Sequence, residues 1–290
     1  MNKTKKIIIF LLIAFMICLT ALLLNPGIRF TVKNQSVMLF NKITKSSEME
    51  EVSTVKPDFT EVLLKDLLRS EKCEYNQSLM LINSRHPLPD GFEAEITQFE
   101  DTDAMMNECA VDSFSAIRKR VTEKFGTKLL IMSAYRSNDE QAEIYKQDSE
   151  GVAAKAGESE HETGLGIDVY VKYYAGNGFL KSEAGQYVNK YCGDFGFIIR
   201  YPLLKEKETG FSYEPWHIRY VGLPHSRIIA EKSVSLEEYI ESLELDCAYS
   251  YGDYIITRQD GEKVIAPSEY ESVTVSPDNL GNLIFTFKIK

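Results

Sequence analysis

The chain holds only four histidines, His86, His161, His217 and His225, and two of them stand in company suited to chemistry. His161 opens the run His161-Glu162-Thr163-Gly164-Leu165-Gly166-Ile167-Asp168, and His217 closes Glu214-Pro215-Trp216-His217. A zinc hydrolase centre needs about three nitrogen or oxygen ligands and an open position for water, and His161, Asp168 and His217 supply that set. Asp168 is flanked by Ile167 and Val169 in an apolar strand pattern, where a carboxylate is costly unless paired or bound to metal. Gly164 and Gly166 permit a bend between His161 and Asp168, which suits a loop entering a strand better than one helix face. Glu214 is separated from His217 by Pro215, which excludes a continuous helix. Its carboxylate can still approach an activated water, take its proton and pass it to a leaving amine. The HExxH helix of thermolysin-like enzymes is absent, because Leu165 stands where that motif needs its second histidine.

Each of these residues alone reads more readily as a surface or hydrogen-bonded structural group; the joint pattern carries the chemical reading. Trp216, the only tryptophan, reads as a packing residue that fixes His217. His86 and His225 lie outside the two runs and read as structural or surface residues.

The elements that must position these groups follow from periodicity. Apolar residues at Met106, Ala110, Phe114, Ile117 and Val121 predict a helix within 105–125, followed by a strand over 128–133. A helix over 139–146, a loop to about Glu160 and a strand over 166–172 come next, then a helix over 182–195. Strands are expected at 197–201 and 217–221, and a helix at 236–243. Upstream, 59–68 has helical spacing, and 79–83 reads as a short strand before the rigid turn Pro87-Leu88-Pro89-Asp90-Gly91. From Cys247 the chain reads as hairpins, 254–258 with 263–265 across Asp260-Gly261, and 273–275 with 283–289 across 279–282. Strands and helices alternate without a regular βαβ repeat, which predicts an α+β fold with a mostly antiparallel central sheet and flanking helices.

Composition is that of an ordinary globular chain, 44% hydrophobic and 26% charged over 290 residues, so neither a disordered nor a polytopic membrane protein fits. A net charge of -10 argues against a nucleic-acid partner, which needs a basic surface. Met1 to Lys6 carries three lysines and precedes the uncharged run Ile7 to Leu24. That run reads as an uncleaved membrane anchor, since small residues for a cleavage site are nearly lacking, and implies a single-pass cell-membrane protein with an extracytoplasmic domain. The expected division is an anchor over 1–24, a stalk or linker over 25–74, a catalytic domain over 75–245 and a small β appendage over 246–290. Of the five cysteines none forms a CxxC pair, so a zinc–thiolate site is not indicated.

The ordered blocks resemble those of the VanY-type D-alanyl-D-alanine carboxypeptidases, zinc peptidases of the bacterial cell wall related to L,D-carboxypeptidases. The pattern SxHxxGxAxD is matched by Ser159, His161, Gly164 and Asp168, with Gly166 where the pattern has Ala. EPWHxRYVG is matched by Glu214 through Gly222, and YRSxxxQ by Tyr135, Arg136, Ser137 and Gln141. The resemblance covers roughly residues 79–230 and implies Zn2+ held by His161, Asp168 and His217, with Glu214 as general base. It also implies substrate binding by Arg136, Gln141 and Ser159, with Arg136 meeting either the terminal carboxylate or the developing oxyanion. The implied reaction is removal of the terminal D-Ala from peptidoglycan precursors or stem peptides, which would contribute to glycopeptide resistance by removing the drug's target. The alternatives are an L,D-carboxypeptidase trimming tetrapeptide stems and a non-catalytic zinc-containing binding module.

Overall fold

The computed structural model describes residues 3–44, 49–52, 58–149 and 151–289; Ser46, Ser47 and Glu48 of the expected stalk lie outside the described residues. Helices α1 (Lys3–Leu24) and α2 (Pro26–Thr44) lead to strands β1 (Glu50–Val52) and β2 (Phe59–Leu63), helix α3 (Leu64–Leu68) and β3 (Cys73–Tyr75). The middle of the chain forms β4 (Ile96–Gln98), β5 (Met105–Asn107), α4 (Val111–Phe125), β6 (Leu129–Ser133), α5 (Asn138–Gln147), β7 (Gly166–Val171), α6 (Glu183–Tyr191) and β8 (Phe197–Ile199). It continues with α7 (Glu206–Thr209), β9 (His217–Tyr220), α8 (His225–Lys232) and α9 (Leu236–Ser242). The last part is all strand: β10 (Ala248–Tyr251), β11 (Tyr254–Gln259), β12 (Lys263–Pro267), β13 (Ser272–Pro277) and β14 (Leu283–Lys288).

The fold is mixed, with antiparallel sheets and flanking helices. Strands β6, β7, β9 and β8 lie side by side in that order, every pair antiparallel. Helix α4 turns Phe114, Ile117 and Val121, spaced by three and four, onto this sheet, where they meet Ile167, Val169, Phe197 and Ile218 in one buried cluster. The Phe99 and Phe114 rings pack edge to face at 5.1 Å within it.

A second sheet of six strands has the order β1-β10-β11-β14-β13-β3, and β2 pairs with β12 separately. Strands drawn from residues 50–75, which the sequence reads as linker, therefore close onto the C-terminal strands. Only the second of the two expected hairpins forms, with Val273 opposite Phe287 and Val275 opposite Phe285. The segment around 254–258 instead pairs with β10 and β14, while 263–267 pairs with β2. An Asp-Gly turn reverses the chain but does not choose a strand's partner, and packing of Val62 and Leu67 with Val264 draws β12 to β2. The same pairing overrides the helical spacing of 59–68, which becomes β2 followed by one short helix.

The region expected to form a strand at 79–83 is instead an irregular buried connection. Arg219 Nη2 donates to the Ser78 and Met80 carbonyls at 3.0 and 2.9 Å, and Leu81 donates its N–H to the Asp278 carbonyl at 3.1 Å. A side chain from the first sheet and a main-chain carbonyl just after β13 thus take the hydrogen bonds a strand neighbour would have taken. His225 joins the same two parts: its Nδ1 lies 2.7 Å from the Tyr239 hydroxyl on α9 and its Nε2 lies 2.8 Å from Thr286 Oγ1 on β14.

The expected single-pass membrane placement is corrected. Among the described residues no helix is long and apolar enough to cross a membrane. Helix α1 has 22 residues, but Lys3, Lys5 and Lys6 occupy its start. The uncharged remainder reaches only about 27 Å at 1.5 Å per residue, short of a hydrocarbon core of about 30 Å.

Candidate metal centre

The first block leads into α5. Ser137 caps that helix by accepting from the Glu140 N–H, and Glu140 returns a bond to the Ser137 N–H at 2.7 Å, a reciprocal capping box. This fixes Arg136 one residue before the cap, and its backbone N–H donates to the His161 carbonyl at 3.1 Å.

The second block is a short 3₁₀ turn, Glu160–Thr163, running into β7. Ser159 Oγ accepts from the His161 N–H at 3.3 Å, and Gly164 closes the turn at φ +70°. A Cβ at Gly164 would sit 2.7 Å from the Asn107 backbone nitrogen, so this position requires glycine on both counts. The third block places Glu214 and His217 in a turn closed by the bond from His217 N–H to Glu214 carbonyl at 3.1 Å. Trp216 packs against the main core, and its carbonyl accepts from the Val169 N–H at 3.0 Å, anchoring this turn to β7.

The sheet then brings the donors together. Asp168 on β7 is the direct cross-strand partner of His217 on β9, and His161 approaches from the turn before β7. Donor atoms of His161, Asp168 and His217, all buried, lie within 4.8 Å of one another. Asp168 Oδ2 is 3.3 Å from His161 Nε2, and Asp168 Oδ1 is 2.9 Å from His217 Nδ1. His161 Nδ1 lies 2.7 Å from the Ala134 carbonyl, which accepts its proton and leaves Nε2 as the free donor. Two imidazoles and a carboxylate make a nitrogen and oxygen donor set of the kind that holds a divalent transition ion, and the Ala134 carbonyl supports His161 from behind.

Burial works against the charge on Asp168, but the two histidines beside it hold its carboxyl well below the usual range. Burial likewise opposes protonation of His217, yet the Asp168 and Glu160 carboxylates outweigh it and hold the imidazole above its ordinary value. Burial pushes Glu214 up, and nearby Asp168 adds to this while His217 and Arg136 oppose it. A half-buried carboxylate raised in this way is a better proton acceptor than an exposed one.

The residues expected to meet substrate divide. Arg136 lies against the donor set, with Nη2 at 3.3 Å from Asp168 Oδ2. Gln141 is buried, and its Oε1 accepts from Arg136 Nη1 at 3.1 Å while its Nε2 donates to the Ala154 carbonyl at 2.7 Å. Ser159 is also buried, with its hydroxyl engaged as the turn cap described above.

A set of charged residues not singled out from the sequence lies directly behind the site. Glu160, Arg200 and Arg219 are essentially unexposed, with Glu160 Oε1 accepting from Arg200 Nε at 2.6 Å and Arg219 Nη1 at 2.8 Å. Arg200 also donates to Glu237 at 2.7 and 2.9 Å. Burial opposes the ionised Glu160, but the two guanidinium charges hold its carboxyl far below the usual range. The signal was present: Arg219 interrupts Ile218-Tyr220-Val221, and Arg200 ends Phe197-Ile198-Ile199, the same apolar flanking that marked Asp168.

Comparison with known proteins places this geometry. The profile of the VanY family, described as D-alanyl-D-alanine carboxypeptidase, matches residues 103–223. A D-alanyl-D-alanine carboxypeptidase of Enterococcus faecium is 36% identical over 190 residues, which are 60% of this chain and 61% of that enzyme. The chain thus matches less than two thirds of that relative's length. A bifunctional D-Ala-D-Ala dipeptidase and D-Ala-D-Ala carboxypeptidase of Enterococcus gallinarum is 36% identical over 183 residues, 57% of this chain and 95% of the relative. Among solved structures, a VanY D,D-pentapeptidase from a VanB-type vancomycin resistance cassette, in complex with Zn(II), is 27% identical with a TM-score of 0.51, covering 56% of this chain and 98% of its own. With its three sequence blocks folded onto one buried donor set and a relative matched over nearly its whole length, the chain belongs to the VanY family of D-alanyl-D-alanine carboxypeptidases.

Proposed function

We propose that the protein is a zinc-dependent D-alanyl-D-alanine carboxypeptidase that removes the terminal D-Ala from peptidoglycan precursors or stem peptides. The observation that carries this reading is the convergence of His161, Asp168 and His217 within 4.8 Å, with the Glu214 turn closing directly onto His217. His161, Asp168 and His217 would hold a zinc ion, which would supply Lewis acidity for a carbonyl and lower the pKa of a water. Glu214 takes the proton of the water and delivers it to the departing amine of D-Ala. Arg136, held against the donor set, faces the charge that develops on the carbonyl oxygen, where a fixed guanidinium acts most strongly. Gln141 and Ser159 serve by shape: Gln141 aims Arg136, and Ser159 holds the turn that presents His161. Loss of the terminal D-Ala would remove a target of glycopeptide antibiotics, in keeping with the vancomycin resistance cassette from which the structural relative comes.

The test is release of D-Ala from a peptide ending in D-Ala-D-Ala by the full chain loaded with zinc. Release by the wild type, and its loss in Glu214→Gln, is the expected result. A zinc-loaded wild type that releases no D-Ala, or releases it at the same rate as the variant, overturns the reading.

A further inference from the structure

Among the described residues, two buried polar atoms at the donor set have no hydrogen-bond partner: His217 Nε2 and Glu160 Oε2. They lie 3.8 Å apart, beyond hydrogen-bond length. His217 turns its other nitrogen, Nδ1, toward Asp168. Glu160 is anchored through Oε1, by Arg200 and Arg219; Arg200 is held in turn by Glu237, and Arg219 by the Ser78 and Met80 carbonyls. The carboxylate therefore cannot swing toward solvent. If its sole task were to neutralise the arginines, Oε2 would gain nothing by being buried beside an imidazole. Gly166 keeps the approach open, since a Cβ there would lie 3.1 Å from His217 Nε2 and 3.3 Å from Glu160 Cβ.

We propose that Glu160 is a positioning residue for His217: its Oε2 accepts the proton on Nε2 and so reserves Nδ1 as the metal-binding atom. The assignment rests on the zinc reading given above. A neutral imidazole has one N–H and one lone pair, so a carboxylate that claims the proton on one nitrogen fixes both the tautomer and the ring orientation. A ring shift of about 1 Å closes the gap to hydrogen-bond length. The chain Arg200/Arg219–Glu160–His217 then links the buried ionic cluster to the metal centre without touching substrate.

The test is zinc affinity of the full chain, measured by competition with a chromogenic chelator, together with the visible spectrum of the cobalt(II) form. Glu160→Gln is expected to bind zinc about 10–100-fold more weakly and to shift the cobalt bands. Glu237→Gln, which removes a charge from the same cluster without reaching His217, is expected to retain both the affinity and the spectrum. Equal affinity and spectrum in folded Glu160→Gln overturn the assignment while leaving the zinc reading intact. A wild type that binds no zinc overturns both. Should Glu160→Gln fail to fold, nitrogen-15 spectra of histidine-labelled, zinc-loaded wild type decide: a proton on His217 Nε2 supports the assignment, and a proton on Nδ1 overturns it.

Discussion

Gln141 holds Arg136 in place: its Oε1 accepts from Arg136 Nη1 at 3.1 Å, and its own amide is tied to the Ala154 carbonyl at 2.7 Å. Ser133 Oγ accepts from Arg136 Nε at 2.9 Å on the other side. The guanidinium thus reaches the donor set as a pre-aimed group, and the ordering of a flexible side chain is completed before substrate arrives.

Arg136→Lys keeps the charge and loses the fork. A lysine cannot bond Ser133, Gln141 and the site together, so kcat/KM is expected to fall about 100-fold, the equivalent of about 2–3 kcal/mol for charged hydrogen bonds. Gln141→Leu should lower kcat/KM about tenfold with zinc content unchanged. Steady-state kinetics with wild-type values for Gln141→Leu would show that Arg136 needs no such support.

Glu214→Gln preserves shape while removing the proton acceptor. Turnover is expected to fall by about 10²–10⁴-fold with zinc binding retained, because Glu214 is not among the three donors. Metal analysis of the purified variant alongside its kinetics checks both halves.

Removing metal should cost stability as well as activity. Asp168 and the two histidines are buried and mutually compensated, and a ligand at 1,000 times its dissociation constant adds about 4 kcal/mol to the folded state. Chelated protein is expected to melt several degrees lower and to recover both melting temperature and D-Ala release on addition of zinc. An unchanged melting curve would contradict a tight site.

Arg200→Met is expected to destabilise the chain by about 3–5 kcal/mol, because it leaves Glu160 and Glu237 buried with lost partners. The double variant Arg200→Met with Glu237→Gln should recover part of that loss. Denaturant titration of the singles and the double measures the coupling directly.

His225 makes the fold acid-sensitive. Burial between Tyr239 and Thr286 pushes its imidazole down to about 3, so the folded chain holds it neutral while the unfolded chain protonates it near pH 6.5. The unfolded state therefore binds more protons between about pH 6.5 and pH 3, and stability falls through that window by up to about 1.4 kcal/mol per pH unit. His225→Gln, which keeps polar atoms but does not titrate, is expected to flatten this slope. Melting temperatures of wild type and variant from pH 4 to 7 compare the two directly.

Much of the donor set was legible in the sequence because its signals are local. Asp168 between two β-branched residues, glycines before it, and Pro215 within the Glu214–His217 turn all constrain the backbone within a few residues. Strands 129–133 and 166–171 and the helix over 111–125 followed equally well from short-range periodicity. The β2–β12 pairing was illegible because strand partners about 200 residues apart leave no mark on either segment. The membrane placement failed because charge and length at the start of α1 weigh against a span that apolarity alone suggested.

The sequence by itself singled out His161, Asp168 and His217 as candidate metal donors, since donor chemistry belongs to residue types and their immediate spacing. Only the tertiary structure decided what those side chains lean on. It set Asp168 opposite His217 in register, tied Gln141 to Arg136, and enclosed Glu160 between two buried arginines. Such arrangements depend on which distant segments share one dehydrated space, where an unpaired charge is too costly to persist. Packing imposes that condition on the whole chain at once, and no short stretch of residues encodes it alone.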